Sequence, residues 1–285
     1  MKFARFLVQY SPHLSRHILP YIAAYKFYNS VEQRNYQCES EEALRESGLY
    51  SKLVAHEVGM LRMKFVADQM FLEYAKVTNV AALVPAVAEG DANFLAIRQQ
   101  IAIGRPFLFG CSYFGCMFFV LLALKDLVSD LLIVTAGDPT PSIRLFKKIG
   151  EASGININVV GATENVVALQ ILRQLKRGGA VATMLDCFYA TNPCLYTDFL
   201  GKPAASPGTL YGLGQRANAI VVPTASIQRG GEQTLDVGEL IDLQSTSIEE
   251  ASQRVNDYFS NLVRTYPDQW MGWQNLLTRW DMAPI

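Results

Sequence analysis

The nineteen residues Pro106–Leu124, PFLFGCSYFGCMFFVLLAL, contain no charge, and the fold depends on how they are read. A run of this length and hydropathy meets the criterion for a membrane-spanning helix. Against that reading, Gly110 and Gly115 bracket a polar turn through Ser112 and Tyr113, and a further apolar run, Leu131–Thr135, follows shortly. A buried strand Phe107–Cys111, a tight turn and a buried helix over Phe114–Val128 account for the stretch better than a span.

The alternation continues downstream. Ile155–Val160, Ala180–Leu185 and Ala219–Ile227 read as further buried strands, and Pro141–Ser153 and Thr163–Arg177 as helices between them. In the last of these, Ala168, Ile171, Leu172 and Leu175 share one face. Arg173, Lys176 and Arg177 lie at the end where cations favour the helix dipole, and Gly178-Gly179 stops it. Strands alternating with helices at this spacing predict an α/β fold, a mainly parallel sheet with helices on both faces. Upstream the periodicity is helical, with Leu53, Val54, Val58, Leu61 and Phe65 in one segment and Asp91–Ile103 in another, ending before Gly104-Arg105-Pro106. No strand of any strength is predicted there. The expected organisation is a helical region over 1–103 and an α/β domain over 104–285, forming one compact unit.

Composition narrows the function. Of 285 residues, 50% are apolar and only 18% charged, which excludes disorder and points to a large core, an apolar cavity or contact with lipid. A net charge of −1 gives no footprint for nucleic acid. Five scattered cysteines, an odd number, do not make a disulfide framework and fit a reducing compartment. With the three histidines confined to the first fifth of the chain, no ligand spacing for a metal is present. No secretory leader is recognisable, so a cytoplasmic location is expected. Residues 1–36 carry five Lys/Arg against the single acid Glu32, with aromatic and aliphatic residues between them. Two readings stand: a peripheral contact with the inner face of a membrane, or a pair of short helices packed on the body.

Candidate chemistry gathers at two strand ends, where open α/β sheets bind ligands. Cys111, Ser112 and Cys116 are candidate nucleophiles. A thiol needs a neighbouring base or a lowered pKa, for which the dipole of a helix starting near Phe114 is one source. The competing reading makes both cysteines small buried hydrophobes. Asp186 closes the strand Ala180–Leu185 and is either functional or a turn-capping carboxylate.

The order of segments resembles the bacterial lipid A late acyltransferases, which acylate lipid A from acyl carrier protein thioesters. The similarity covers roughly residues 90–280. It rests on an apolar strand followed by Ser112-Tyr113-Phe114-Gly115, on Met184-Leu185-Asp186, on the segment from Tyr196 to Pro203 (YTDFLGKP), on the small-residue helix Ser206–Arg216, on Ile220-Val221-Val222-Pro223, and on the closing run from Tyr266 to Trp273 (YPDQWMGW). The family's signature is a histidine followed, after four residues, by an acid. Histidine takes the proton from the acceptor hydroxyl and the carboxylate orients the imidazole. Here Tyr113 stands in the histidine position and Phe118 in the acid position, and none of the three histidines has an acid five residues on.

The resemblance implies an acyl thioester of carrier protein or coenzyme A as co-substrate, with no other cofactor. Placed on this frame, the candidate catalytic residues are Cys111, Ser112, Tyr113, Cys116 and Asp186, of which Asp186 matches a family aspartate. The candidate substrate contacts are Phe114, Gly115, Phe118, Lys202 and Arg229, of which Arg229 resembles a family arginine, while Lys202 and Arg229 also read as solvated surface charges. Two functions follow. One is a divergent acyltransferase that acylates a hydroxyl or amine by a non-standard mechanism. The other is an inactive descendant that binds an acyl chain, a carrier domain or a partner protein.

Overall fold

Strand β2 (Phe107–Cys111) lies in the middle of the sheet with every residue buried. In a computed structural model, which describes residues 2–87, 91–163, 166–186, 194–230 and 232–282, the chain approaches this strand through helices. These are α1 (Lys2–Tyr10), α2 (Pro12–Phe27), α3 (Val31–Glu46), α4 (Lys52–Tyr74), α5 (Val77–Ala81) and, after the short β1 (Ala86–Val87), α6 (Ala92–Ala102). Side chains set several of their starts: Ser30, Ser51 and Asp91 each accept from a backbone N–H three residues on.

After β2 come α7 (Phe118–Ala123), β3 (Asp130–Thr135), α8 (Thr140–Ser153), β4 (Asn156–Gly161), α9 (Val167–Lys176) and β5 (Ala180–Met184). A two-stranded hairpin, β6 (Cys194–Phe199) with β7 (Lys202–Pro207), precedes α10 (Gly208–Arg216). The chain ends through β8 (Ile220–Arg229), β9 (Glu232–Val237), β10 (Ile241–Asp242), α11 (Ile248–Thr265) and α12 (Trp273–Asp281).

The sheet runs β1-β9-β8-β2-β5-β3-β4, and the neighbours from β8 to β4 are all parallel. β8 pairs with β2 up to Pro223 and then takes β9 as its antiparallel partner from Thr224. Pro223 has no N–H to give a ladder and sits where the strand changes partners. Side chains alternate across the sheet. Phe107, Phe109 and Cys111 pack with Ile133, Ala182 and Val222 under α1, α4 and α6–α8. Leu108, Leu132, Val181 and Val221 face the other way, onto α9–α12 and Tyr36 and Leu44 of α3. The near-continuous apolar runs of the central strands follow from this burial on both faces.

Four expectations are corrected. The helix after β2 begins at Phe118, not near Phe114, and gives way to a 3-10 turn at Leu124–Asp126. Gly115 takes a left-handed φ of +50, and the backbone of 113–115 bonds to a remote segment, so these residues cannot start a helix. The stretch Ser206–Arg216 opens as strand: Ser206 pairs with Leu195, and the helix starts only at Gly208, after Pro207. The first hundred residues do contain a strand, since Ala86 and Val87 pair with Thr234 and Leu235. Two residues with no alternation of their own gave no signal for it. The expected helix Thr163–Arg177 starts at Val167, and its residues 164 and 165 lie outside the described residues.

No described helix is long and apolar enough to cross a membrane, and Pro106–Leu124 is a strand, a turn and a short helix. Gly110 is required where β2 meets the residue before Asp186: a Cβ there would lie 2.5 Å from Leu185 Cδ1. Gly110→Ala is expected to destabilise the protein by about 1–3 kcal/mol, the usual cost of overpacking, read as a lowered Tm.

Candidate functional site

The carboxyl ends of β2 and β5 lie side by side, and the backbone continues their pairing through Leu185 N–H to the Cys111 carbonyl, 3.0 Å. This brings Ser112 and Tyr113 of one loop beside Asp186 of the other. Asp186 Oδ2 accepts from the Tyr113 backbone N–H and from the Trp270 indole Nε1, each at 2.7 Å. Arg279, buried on α12, donates from Nη1 to the Asp186 carbonyl oxygen at 2.7 Å and from Nε to the Ala205 carbonyl at 3.2 Å. Its guanidinium stacks 4.3 Å from the Phe199 ring centroid. Asp186 Oδ1 and the Ser112 hydroxyl, both buried, have no hydrogen-bond partner among the described residues.

Burial pushes the Asp186 carboxyl up to about 6, against the Trp270 and Tyr113 hydrogen bonds and the positive charge of Arg279. The desolvation of a carboxylate that is only 1% exposed outweighs three favourable partners. Burial acts more strongly on the thiols. Cys111 is pushed up to about 12, although the Thr224 hydroxyl, 4.0 Å from its sulfur, opposes this. Cys116 is raised well above the ordinary thiol value by burial and by the charge of Asp68. The helix dipole expected to activate Cys111 is not in place, because α7 is six residues long and starts at Phe118.

The turn holding Tyr113 is strapped to the C-terminal segment. Gly115 N–H donates to the Gln269 carbonyl at 3.0 Å, and Met271 N–H to the Tyr113 carbonyl at 2.9 Å. The Gln269 side chain accepts from Gln228 N–H and donates to the Gln228 carbonyl, which fixes the strap to β8. Trp270 and Trp273 meet edge to face at 5.1 Å, and Trp273 Nε1 donates to the Pro267 carbonyl. Gly272 is needed at this corner, since a Cβ would sit 2.2 Å from the Trp270 ring.

Ser112, Tyr113 and Asp186 are therefore brought together, whereas other sequence candidates lie elsewhere. Phe114 is buried, and its backbone bridges to Trp270. Phe118 and Cys116 pack in the core cluster that holds Phe109 and Phe146, while Tyr113 leans on the cluster across the sheet. The positions corresponding to the histidine and acid thus do not face one another. Lys202 pairs with Glu46 on α3 and lies over the Trp280 ring. Arg229 pairs with Asp236 and donates to the Tyr266 hydroxyl. Cavities of about 270 Å³ at the amino ends of the strands and 300 Å³ between α3 and α4 do not border Asp186.

Sequence reading missed Arg279 and the hydrogen-bonding part of Trp270. A signal existed for the arginine. Trp273, Leu276 and Trp280 form the buried stripe of α12, and Arg279 falls on it three residues after Leu276.

Residues 154–280 match the family model for bacterial lipid A biosynthesis acyltransferase. No curated protein matches the chain. The matched span contains Asp186, Trp270 and Arg279, whereas Ser112 and Tyr113 precede it.

Two outcomes test this geometry. Asp186 binds its proton more tightly folded than at its ordinary 3.8, so its contribution to stability is largest below that pH and declines as pH rises through about 6. Asp186→Asn retains an oxygen for the two N–H donors. Its stability relative to the parent should therefore shift in the variant's favour by up to about 3 kcal/mol from acid to mildly alkaline pH, measured by denaturant titration. Iodoacetamide at neutral pH should label exposed Cys38 and leave Cys111 and Cys116 unmodified until the chain unfolds, read by peptide mass spectrometry.

Proposed function

We propose that this chain, lipid A acyltransferase-like over residues 154–280, transfers an acyl group from a carrier-protein or coenzyme A thioester to a hydroxyl or amine acceptor, with Asp186 as the base. The observation that carries this reading is the asymmetry of the Asp186 carboxyl. One oxygen is fixed by two N–H donors, and the other is unpartnered beside the Ser112 and Tyr113 turn. Such a group is oriented and still has a free oxygen to accept a proton.

In the reaction the acceptor O–H or N–H loses its proton to Asp186 as its heteroatom attacks the thioester carbonyl. The new C–O or C–N bond forms, the C–S bond breaks, and the proton passes on to the departing thiolate. Tyr113 supplies the backbone N–H that orients the base. The direct route is favoured over a covalent cysteine intermediate because both buried thiols are held far from the thiolate form. The two basic residues singled out in the sequence, Lys202 and Arg229, are committed to Glu46 and Asp236 and have no step in this scheme.

A second reading has its own observation. Asp186 and Ser112 are almost fully buried, as suits an acyltransferase frame retained for binding an acyl chain, a carrier domain or a partner protein.

Incubating the full chain with acyl carrier protein and acyl-coenzyme A thioesters and a panel of hydroxyl and amine acceptors separates the two, with products read by mass spectrometry. Transfer should rise with pH through about 6 as Asp186 ionises. It should fall about 10²–10⁴-fold in Asp186→Asn, the range for a lost general base. Transfer unaffected by Asp186→Asn would remove the assigned base. Absence of product with every donor, together with saturable thioester binding, would establish the binding function instead.

A further inference from the structure

The first two helices bury one side and present another that nothing on the chain covers. On α1, Ala4, Leu7 and Val8 are buried, while Phe3, Phe6 and Tyr10 stand outward, Tyr10 at 72% exposure. On α2, Ser15, Leu19 and Ala23 face inward, and Leu14, Tyr21 and Tyr25 face out, Tyr25 at 94%. On α1 the outward positions lie three and four residues apart and on α2 seven and four apart, so each helix carries its own outward apolar stripe on either side of the break at Ser11. Phe6 and Tyr10 stack their rings at 4.7 Å, so part of the α1 stripe is already an assembled aromatic surface.

The two helices themselves carry charge of one sign, and the nearest acids, Asp68 and Glu73, belong to α4 packed behind them. Lys2, Arg5 and Arg16 are exposed on these helices, and no acid occurs before Glu32. Scattered exposed apolar residues are normal on a soluble protein, but six large ones within twenty-five residues, on two helices that carry cations and no acid, are not.

We infer that α1 and α2 form a docking surface for an anionic lipid bilayer, lying in the plane of its interface with the aromatic stripes downward and the cations at the headgroups. Aromatic rings favour the headgroup boundary, and basic side chains gain from the negative surface potential. A second copy of the chain is a poorer occupant, because pairing the stripes of two copies would bring cation against cation. This arrangement joins the two readings of residues 1–36: the helices pack on the body with one side, and the inferred lipid contact would use the other. The inference is independent of the proposed acyl transfer and is read without any turnover.

The test is sedimentation of the full chain with vesicles of phosphatidylcholine alone and of phosphatidylcholine mixed with phosphatidylglycerol. The protein should partition onto the mixed vesicles at least about tenfold more strongly, and added salt should weaken the partition. Lys2→Gln/Arg5→Gln should lower it about 25-fold, at about fivefold per charge. Phe6→Ser/Tyr25→Ser should lower it at least about tenfold. Ile103→Ser, which changes an exposed apolar residue away from both stripes, should leave it unchanged. Unaltered circular dichroism of each variant excludes unfolding as the cause. Equal binding to neutral vesicles, or mixed-vesicle binding indifferent to both double substitutions, would overturn the inference. So would a concentration-dependent dimer, seen by analytical ultracentrifugation, that Phe6→Ser/Tyr25→Ser dissolves.

Discussion

A carboxylate at the end of a parallel strand, out of reach of water, must be held by hydrogen bonds or protonated, and Asp186 is held. Its partners come from two parts of the chain far from it in sequence: the Tyr113 backbone, and the C-terminal segment with the Trp270 indole and, through the Asp186 carbonyl, Arg279. Removing any one of them would leave a buried polar group wanting, at about 1–3 kcal/mol or more for a charge. The surrounding architecture serves that requirement. The Gln269 strap sets the height of the Tyr113 turn, Gly272 lets Trp270 reach inward, and the edge of Trp270 against Trp273 fixes the indole's direction. The C-terminal helix is accordingly part of the site's frame and not an appendage to it.

The same burial sets the chemistry. Desolvation is the largest cause that raises the acid and the two thiols, but the consequences differ. An acid raised to about 6 still ionises in the physiological range, whereas a thiol raised to about 12 does not become a nucleophile. Stability and the proposed reaction would then respond to pH in opposite directions at one residue. Ionising Asp186 weakens the fold by placing a charge in the interior, and the proposed reaction needs that ionised form.

The central strands were legible because they are buried on both faces and so appear as unbroken apolar runs with helical periodicity between them. Asp186 and the Ser112–Tyr113 turn were legible for a related reason: polar residues directly after such runs fall at the carboxyl edge of the sheet. The bulk of Trp270 is visible in the sequence, whereas the direction of its N–H is not. Arg279 left only a charge on an apolar stripe. The hairpin β6–β7 and the strand β1 were hidden, since their pairing partners lie in the tertiary neighbourhood and their own residues do not alternate clearly.

The sequence by itself determined the α/β class, the order of the central strands along the chain, and the absence of a histidine–acid pair at the spacing its resemblance calls for, because periodicity and residue identity are local properties. Only the tertiary structure decided which groups work together. Tyr113 and Phe118 are five residues apart and pack on opposite faces of the sheet, whereas Tyr113, Asp186, Trp270 and Arg279 span most of the chain and meet at one point. Burial, which sets the carboxyl within reach of ionisation and the thiols beyond it, is likewise a property of the packed molecule and is not encoded at any single position.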